Sequence, residues 1–347
     1  MIFCVQSLAA CAAPEPPPAA LPPPPPAPEP VASAAPVEPA PAPPPTPEQQ
    51  KKAADQAKLE QDFSQLEQDN RAEAARMTPE VKQAAAALTA KSYPTLQAAI
   101  TAALKGSHRR AGDAARDAQR HPLQTLELFG IKPNQTVLEY GPGEGWYTEL
   151  LAPALAKNGK LLVTTTDPNA PRTERPTLYA LRTKYFLERL PEAYGKVEPV
   201  IFDAKAPKLA LDGKLDAVLL IRGMHGMYNN KLLAPWLAEF HRALKPGGTL
   251  GIEQHRAAAG KTADETSKQG YLPEAFVIQT VEAAGFKLAA KSEINANPKD
   301  TKDYPEGVWS LPPTLREGEK NRDKYLAIGE SDRMTLKFVK VDPKPAK

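Results

Sequence analysis

The chain has 347 residues, and its 44 lysines and arginines nearly balance its 41 aspartates and glutamates, so the net charge is +3. This near balance gives no case for a nucleic-acid partner, which would need a clustered basic face, so we expect none. The two cysteines, Cys4 and Cys11, both lie in the first eleven residues. This position excludes a disulfide framework or a cysteine-based metal site in the rest of the chain.

The first eleven residues, MIFCVQSLAAC, are mostly apolar and end in Leu8-Ala9-Ala10-Cys11. This ending resembles a bacterial lipobox, in which the cysteine is lipidated, and small residues before a cleavage point are typical of an export signal. We therefore predict a lipoprotein signal peptide over 1–11, lipidation at Cys11 and a lipid-anchored protein of the cell envelope or periplasm. No lysine or arginine precedes the apolar run, so the alternative is an arbitrary apolar start and a cytoplasmic protein.

Proline and alanine dominate residues 12–47, which we predict to be a disordered linker. Proline fixes φ and removes backbone donors, so such a stretch favours extended polyproline II over a packed core. Residues 48–105 are predicted to be a helical segment, in which Leu59, Phe63 and Leu66 form a thin apolar stripe. The stripe is compatible with a coiled-coil stalk or with a helix packed on the domain that follows.

Charged side chains mark the start of the predicted domain. Arg109, Asp113, Arg116, Asp117 and Arg120 are spaced at i, i+3 and i, i+4, which predicts a helix supported by ion pairs. One interpretation is a solvated helix face. The alternative is a lid or ligand-contacting helix that uses one of the three arginines.

Residues 106–341 are predicted to form one α/β domain. Strands are predicted over 136–140, 160–166, 199–203, 215–222 and 249–255, and helices between them over 146–156, 177–190 and 231–244. Such alternation predicts a parallel sheet with right-handed crossovers. Two more strands, 286–293 and 333–341, are separated by a connection of about 40 residues, which is unusually long. We expect this connection to be ordered over the domain, because it carries Tyr304, Trp309 and Tyr325.

A glycine-spaced turn, Gly141-Pro142-Gly143-Glu144-Gly145, follows the first predicted strand. Glycines allow positive φ and a close approach of the backbone to a ligand, and doubly wound sheets bind ligands at the carboxyl ends of their strands. A dinucleotide fingerprint has the spacing G-x-G-x-x-G and holds a pyrophosphate at the helix N-terminus. Because the spacing here is G-x-G-x-G and Glu144 disfavours a phosphate, the turn favours S-adenosylmethionine (SAM) over a nicotinamide dinucleotide.

Acidic residues lie at the ends of the first three predicted strands, namely Glu139, Asp167 and Asp203. An acid after the second strand can accept from both ribose hydroxyls of a bound nucleoside, and one after the third strand can accept from the adenine amino group. Asp167 is displaced by about two residues from the position expected for that contact, so Thr165 is an alternative at this strand end. Each acid alone is compatible with a surface or capping role, but together they predict a SAM site.

Candidate catalytic residues follow the fourth and fifth predicted strands. His225 and Tyr228 could orient or deprotonate a nucleophile, and His255 is the favoured general base. A loop position with backbone partners is the alternative for His225. A metal site built from His225, Glu253 and His255 matches no recognised ligand spacing, so we predict no metal.

The words VLEYGPGEG and LKPGG and the strand-end acids are similar to those of class I SAM-dependent methyltransferases. More narrowly, the chain resembles a family of predicted bacterial methyltransferases that shares RDAQRHPLQTLELFGIKP, YGPGEGWYTELLAP, EQHRAAAG, SEINANPKDTKDYPEGVWSLPP and IGESDRMTLKFVK. The resemblance covers roughly 106–341 and implies a Rossmann-like seven-stranded sheet with SAM as cofactor. It carries Glu139, Gly141, Gly143 and Gly145 over as cofactor contacts and implies no particular substrate.

These features predict SAM-dependent methyl transfer to a small-molecule or envelope acceptor. The alternative is a non-catalytic envelope binding protein on the same fold, because SAM is made in the cytoplasm and an exported protein would be separated from it. No stretch approaches the roughly 20 apolar residues that span a bilayer, so we expect membrane contact only through a lipid on Cys11. The acceptor and the oligomeric state are left open.

Overall fold

The computed structural model describes residues 46–341 together with Pro23 and Pro25. The predicted signal peptide, its lipidation site Cys11 and most of the predicted linker over 12–47 lie outside the described residues. The chain divides into two units, Met1–Glu48 and Gln49–Lys347. In the described part, none of the helices combines the length and apolar character needed to cross a membrane.

The second unit is organised around one sheet. Its strands are β1 (Thr136–Tyr140), β2 (Lys160–Thr165), β3 (Glu198–Ile201), β4 (Leu215–Ile221), β5 (Leu244–His255), β6 (Phe286–Ser292) and β7 (Arg333–Lys340). The order across the sheet is β3-β2-β1-β4-β5-β7-β6. Strands β1 to β5 pair in parallel, whereas β7 is antiparallel to both β5 and β6. This is the Rossmann-like sheet of the class I methyltransferase fold, which confirms the predicted fold class.

Helices connect the strands and precede the sheet. They are α1 (Pro47–Ala75), α2 (Pro79–Ala90), α3 (Leu96–Leu104), α4 (Asp117–Arg120), α5 (Pro122–Phe129), α6 (Thr148–Leu155), α7 (Arg175–Glu188), α8 (Pro191–Tyr194), α9 (Met224–Asn229), α10 (Leu233–Ala243), α11 (Ala263–Thr266), α12 (Glu274–Ala283) and α13 (Arg322–Ile328). Short 3₁₀ helices cover Asp113–Arg116, Ser267–Gln269 and Gly307–Ser310.

Both faces of the central strands β1, β2 and β4 are buried, as expected for parallel strands flanked by helices. Neighbouring residues of β1 show the alternation, because Val137 belongs to one hydrophobic core and Leu138 to the other. The first core includes side chains of α3, α5 and α6, and the second includes side chains of α10 and α12. The buried centre of the sheet therefore positions the residues that follow β1 and β4. After these two neighbouring strands the chain crosses to opposite faces of the sheet, and open α/β sheets bind ligands at such a switch point.

The helical segment before the sheet packs on this domain, which the sequence left undecided. Ala99, Ile100 and Ala103 of α3 are almost completely buried in the first core. Helix α1 makes a smaller contact, in which Leu59 and Phe63 pack against Leu178 of α7. Leu66 and Leu181 are partly buried and pack against the same cluster.

The segment predicted to be one charged helix forms a 3₁₀ turn and the short helix α4 instead. Arg109 does not pair locally with Asp113, because its Nη1 and Nη2 donate to both carboxylate oxygens of Asp117 at 2.6 and 2.8 Å. Arg109 and Arg120 are both buried, so the solvated face was the wrong interpretation for these two arginines. Arg116 does pair with Asp113, at 2.5 Å.

The sequence LKPGG, which precedes the strand predicted over 249–255, lies within β5. Leu244 pairs with Leu215 and Thr249 with Ala217, so the residues between Leu244 and Thr249 bulge out of the ladder. Gly247 has φ of 70°, a left-handed conformation that glycine adopts without steric cost. The observed strand therefore begins earlier than the predicted one, because pairing with β4 extends through LKPGG.

Candidate functional site

The glycine turn after β1 adopts backbone conformations that explain its sequence. Gly141, Gly143 and Gly145 have φ values of 56°, 62° and 86°. A Cβ atom on Gly145 would lie 2.3 Å from Phe186, whereas a Cβ on Gly141 or Gly143 would meet nothing within 4 Å. Packing therefore requires the third glycine, while the first two leave open space beside the backbone. The Gly141 N–H donates to Thr164 Oγ1 at 2.8 Å, which ties the turn to β2.

One cavity lies at the carboxyl ends of β1, β2 and β4, and we call it the strand-edge cavity. Its volume is about 470 Å³, and its lining includes Gly141, Gly143, Tyr140, Thr164, Thr165, Thr166, Phe202, Ala204, Gly223 and Trp236. Three of these are aromatic: the Trp236 ring centroid lies 4.7 Å from that of Tyr140 and 4.8 Å from that of Phe202. An apolar wall facing three threonine hydroxyls suits a ligand with a flat ring and a polar edge.

A larger cavity of about 1260 Å³ lies beside the same turn. We call it the arginine-lined cavity, because its lining includes Arg116, Arg120, Arg175, Arg182, Arg222 and Arg316. Its walls come from α1, α7, the ends of β1, β4 and β5 and the connection between β6 and β7. Six residues line both cavities: Gly141, Pro142, Gly143, Tyr179, Arg182 and Arg222. A ligand extending across the glycine turn would therefore contact both spaces.

Two acids at the turn differ in environment. Glu139 is buried at the end of β1, accepts a hydrogen bond from Thr148 Oγ1 at 2.7 Å and lines the arginine-lined cavity. Its burial raises its pKa to about 7, against the opposing effect of the Thr148 hydrogen bond. Although burial also acts on Glu144, the Arg110 guanidinium 2.5 Å away holds the pKa of Glu144 below its ordinary value. Arg110 thus offsets part of the negative charge that the sequence placed at the turn.

The two acids predicted to contact the nucleoside lie beyond their strands. Asp167 Oδ1 accepts from the Asn169 N–H and Asp203 Oδ1 accepts from the Lys205 N–H, both at 2.8 Å. Neither carboxylate is part of the lining described for the two cavities, where Thr165 and Thr166 stand at the end of β2. The contacts expected of Asp167 and Asp203 stay predictions.

The structure brings two predicted catalytic residues together. His255 ends β5 and His225 lies on α9, their ring centroids are 5.8 Å apart, and both line the arginine-lined cavity. His255 Nδ1 lies 2.6 Å from Ser331 Oγ, and Gln254 Nε2 donates to His225 Nδ1 at 3.4 Å. Burial lowers the pKa of His225 to about 4 and lowers that of His255 well below its usual range. Both imidazoles are therefore neutral near pH 7, and the same burial opposes their protonation.

Tyr228 lies apart from this pair. Its hydroxyl donates to Asp264, and its ring packs edge-on against Phe276 at 5.3 Å. It belongs to neither cavity lining in the described part of the chain. Its helix, α9, was not predicted, because its glycines favoured a flexible loop. A catalytic role for Tyr228 stays a prediction.

Glu253 takes part in a different network from the one considered for a metal. The Tyr147 hydroxyl donates to its Oε2 at 2.9 Å, and Arg333 Nε lies 3.3 Å from its Oε1. Across the described residues, no group of three or more histidine, cysteine, aspartate or glutamate side chains is arranged to hold a metal ion.

Several residues at the site were not identified from the sequence. Trp309 belongs to the long connection, and its ring lies 5.8 Å from that of His225, while Arg316 stacks on it at 4.8 Å. Arg222 follows β4 directly and has φ of 56°, which is uncommon outside glycine and occurs often at functional sites. The position of Arg222 immediately after a buried strand was the available signal. The contact between Trp309 and His225 gave no signal, because the two residues lie far apart in the sequence.

No family model matches the chain, and no curated protein matches it. Solved structures are similar at low sequence identity. A SAM-dependent methyltransferase from Aquifex aeolicus is 19% identical with a TM-score of 0.43, covering 65% of this chain and 93% of that chain. A TehB-like SAM-dependent methyltransferase from Corynebacterium glutamicum is 15% identical with a TM-score of 0.36, covering 64% and 87%. The 1,6-didemethyltoxoflavin-N1-methyltransferase of Burkholderia thailandensis is 16% identical with a TM-score of 0.38, covering 65% and 79%.

Proposed function

We propose that this protein transfers a methyl group from SAM to an unidentified small-molecule or envelope acceptor. The observation that carries the proposal is the turn at Gly141 and Gly143, which stands at the switch point of a class I methyltransferase sheet. Both glycines face open space and line both cavities. The shared sequence words further support membership of the family of predicted bacterial, often exported, methyltransferases.

The residues around the turn fit SAM. The aromatic wall of Tyr140, Phe202 and Trp236 and the hydroxyls of Thr164 and Thr165 in the strand-edge cavity suit an adenosine group. Glu139 supplies a carboxyl group in the adjoining cavity, and a cationic ligand there would favour its ionised form.

When bound, SAM supplies a methyl group that is already activated for transfer. The chain's own residues would position the acceptor and control its proton. His255, held by Ser331, or His225 can accept the proton of an oxygen or nitrogen nucleophile. Trp309 and neighbouring residues of the β6–β7 connection line the cavity and would cover part of a bound acceptor.

Substitution of Gly143 by valine tests the cofactor site. A side chain at this position would enter the open space beside the turn, so we expect at least a tenfold loss of SAM affinity in calorimetry, which corresponds to about 1.4 kcal/mol. Gly213→Val is a matched control, because Gly213 has φ of 63° and also has nothing within 4 Å of a Cβ. The control experiences similar backbone strain and should bind SAM as the wild type does.

The wild-type titration itself separates the functional alternatives. Binding of SAM and S-adenosylhomocysteine without binding of NAD supports a methyltransferase site. Binding of NAD alone would favour a dehydrogenase, and equal SAM affinity in Gly143→Val would remove the assignment of this turn.

The envelope location is proposed from the N-terminal sequence alone. Because SAM is made in the cytoplasm, an envelope location leaves a second candidate function, a non-catalytic envelope binding protein on this fold. Incorporation of labelled palmitate at Cys11 in a membrane fraction would support the lipid anchor, whereas an unlabelled protein in the cytoplasmic fraction would contradict it.

A further inference from the structure

The arginine-lined cavity contains a buried guanidinium that is only partly paired. Arg120 is 1% exposed, and its Nε donates to the two carboxylate oxygens of Glu330 at 2.8 and 2.9 Å. Its Nη1 and Nη2 have no hydrogen-bond partner among the described residues. The guanidinium lies 4.7 Å from the ring centroid of Trp146 and belongs to the lining of the cavity. Buried donors without partners are costly, so this arrangement indicates a ligand that accepts hydrogen bonds.

The charges around Glu330 also indicate a ligand that accepts hydrogen bonds and carries negative charge. Three guanidinium groups surround this carboxylate: Arg120, Arg333 and, at 3.7 Å, Arg222. The second buried acid nearby, Glu253, contacts only Arg333 of these three, at 3.3 Å. At ion-pair distance, three cations therefore share two carboxylates. Glu139 also interacts with Arg222, but burial raises the pKa of Glu139 to about 7 and so reduces its negative charge. Arg120 and Arg333 are buried and Arg222 is partly exposed, and an excess of positive charge in such a place is unfavourable unless an anion compensates it.

The pKa of Arg222 is consistent with this excess of positive charge. Burial and, next, repulsion from Arg120 lower the pKa of Arg222 to about 10. Glu330 responds in the opposite direction, because the three arginines outweigh its burial and lower its pKa to about 2. Arg222 lines both cavities, so its guanidinium group lies where a ligand in the larger cavity can contact the cluster.

Another part of the lining is largely apolar. It comes from the β6–β7 connection and includes Val308, Trp309, Pro312, Pro313 and Leu315, together with Thr314, Arg316 and Gly318. The Trp309 ring is flanked by His225 and Arg316. A ligand that fills the cavity would therefore present an apolar body to one wall and an anionic group to the other.

We propose that the methyl acceptor is an organic acid with an apolar body. Its carboxylate or phosphate binds Arg120 and Arg222, and its apolar part packs against Trp309. This inference rests on the function proposed above, because it identifies the chemical class of that acceptor.

Calorimetry on the full chain saturated with S-adenosylhomocysteine tests the inference. Benzoate is the carboxylate probe, phenyl phosphate is the phosphate probe, and benzamide is the neutral match of benzoate. We expect one of the anions to bind at least tenfold more tightly than benzamide. Arg120→Gln should weaken that anion at least tenfold and leave S-adenosylhomocysteine affinity within about twofold. Arg322→Gln, a control on the exterior of α13, should change neither affinity.

The outcomes separate this inference from the proposed function. Equal binding of the anions and benzamide, or no binding of either anion, overturns the inference. A tenfold loss of S-adenosylhomocysteine affinity in Arg120→Gln would assign Arg120 to the cofactor's own carboxylate and also overturn it, leaving the proposed function standing. Failure of the wild type to bind S-adenosylhomocysteine contradicts the proposed function itself. If circular dichroism shows that Arg120→Gln is unfolded, Arg222→Gln replaces it with the same expected tenfold loss.

Discussion

Two arginines of one short stretch show how the environment of a single residue separates structure from function. Arg109 donates to both oxygens of Asp117 and lies 3.4 Å from Glu149, so its charge is satisfied within the protein. Arg120 is equally buried but leaves two nitrogens without partners in the described part of the chain. Arg109 therefore anchors the segment before β1, whereas Arg120 has donors left for a ligand.

Glu139 provides a prediction at the same scale. Burial raises its pKa from an ordinary 4.5 to about 7, so between these values the folded chain holds a proton that the unfolded chain releases. The contribution of Glu139 to stability therefore falls as the pH rises from 4.5 to 7 and stays low above 7. Glu139→Gln lacks this ionisation and keeps an acceptor for Thr148. We expect the variant to exceed the ligand-free wild type in stability by on the order of 2–3 kcal/mol at pH 8.

Urea unfolding at pH 5 and pH 8 measures this difference. The advantage of Glu139→Gln should be small at pH 5, where the wild-type side chain is protonated in the folded state. Glu60→Gln, on the exposed side of α1, is the control and should show no such pH dependence. An identical change in stability at both pH values for Glu139→Gln would contradict the assigned burial of its charge.

At the scale of elements, α1 is attached to the domain by few contacts although it contributes Lys58 and Asp62 to the arginine-lined cavity. Its apolar contact is limited to a small cluster around Phe63. Two exposed ion pairs also hold α1: Asp62 with Arg175 at 2.9 Å and Glu67 with Arg172 at 2.8 Å. Such pairs contribute little to stability. Helix α1 is therefore held by fewer apolar contacts than the central strands, and we expect it to open more readily than they do.

Phe63→Ala should loosen α1 selectively. Phe63 is 3% exposed and lies beneath the Arg172 guanidinium at 4.5 Å, so its truncation removes about 2 kcal/mol of apolar burial. We expect amide exchange in the second half of α1 to accelerate at least tenfold, with exchange in β1 and β4 unchanged. Hydrogen–deuterium exchange measures both, and Glu60→Ala on the exposed side of the same helix is the control. Faster exchange throughout the sheet would show that α1 is part of the central core.

The sequence predicted those elements whose signals are local. The apolar pair Val137-Leu138 and the glycine turn that follows it predicted β1 over 136–140, as observed. Local spacing failed where the partners are distant. Arg120 pairs with Glu330, 210 residues away, so the charge pattern around it predicted a helix face that does not form. The bulge in β5 likewise depends on β4, which no pattern within LKPGG could indicate.

At the scale of the whole molecule, the first core joins the early helices to the sheet. Met77, Ala85, Tyr93, Leu96, Ala99, Ile100 and Ala103 are buried in the same cluster as residues of α6 and β1. The methyltransferase resemblance began only near residue 106, but the packing continues across that position. The three-dimensional unit, Gln49–Lys347, thus extends beyond the part that the family motifs identified. Alanine-rich helices such as these carry few distinctive sequence motifs.

Two truncated chains test whether these helices are required for folding. A chain that starts at Gly106 exposes the surface beneath α3, in which Ile100 and Ala103 are both completely buried. Each large apolar side chain contributes about 1.5–3 kcal/mol. Several such losses approach the 5–15 kcal/mol that typically separates folded from unfolded domains. We therefore expect the chain from Gly106 to lose cooperative unfolding and to bind a hydrophobic dye. A chain that starts at Gln49 should unfold in urea within about 1 kcal/mol of the full chain. Cooperative unfolding of both chains at the same midpoint would instead show that α1 to α3 are an appendage and that the sheet and its crossover helices fold without them.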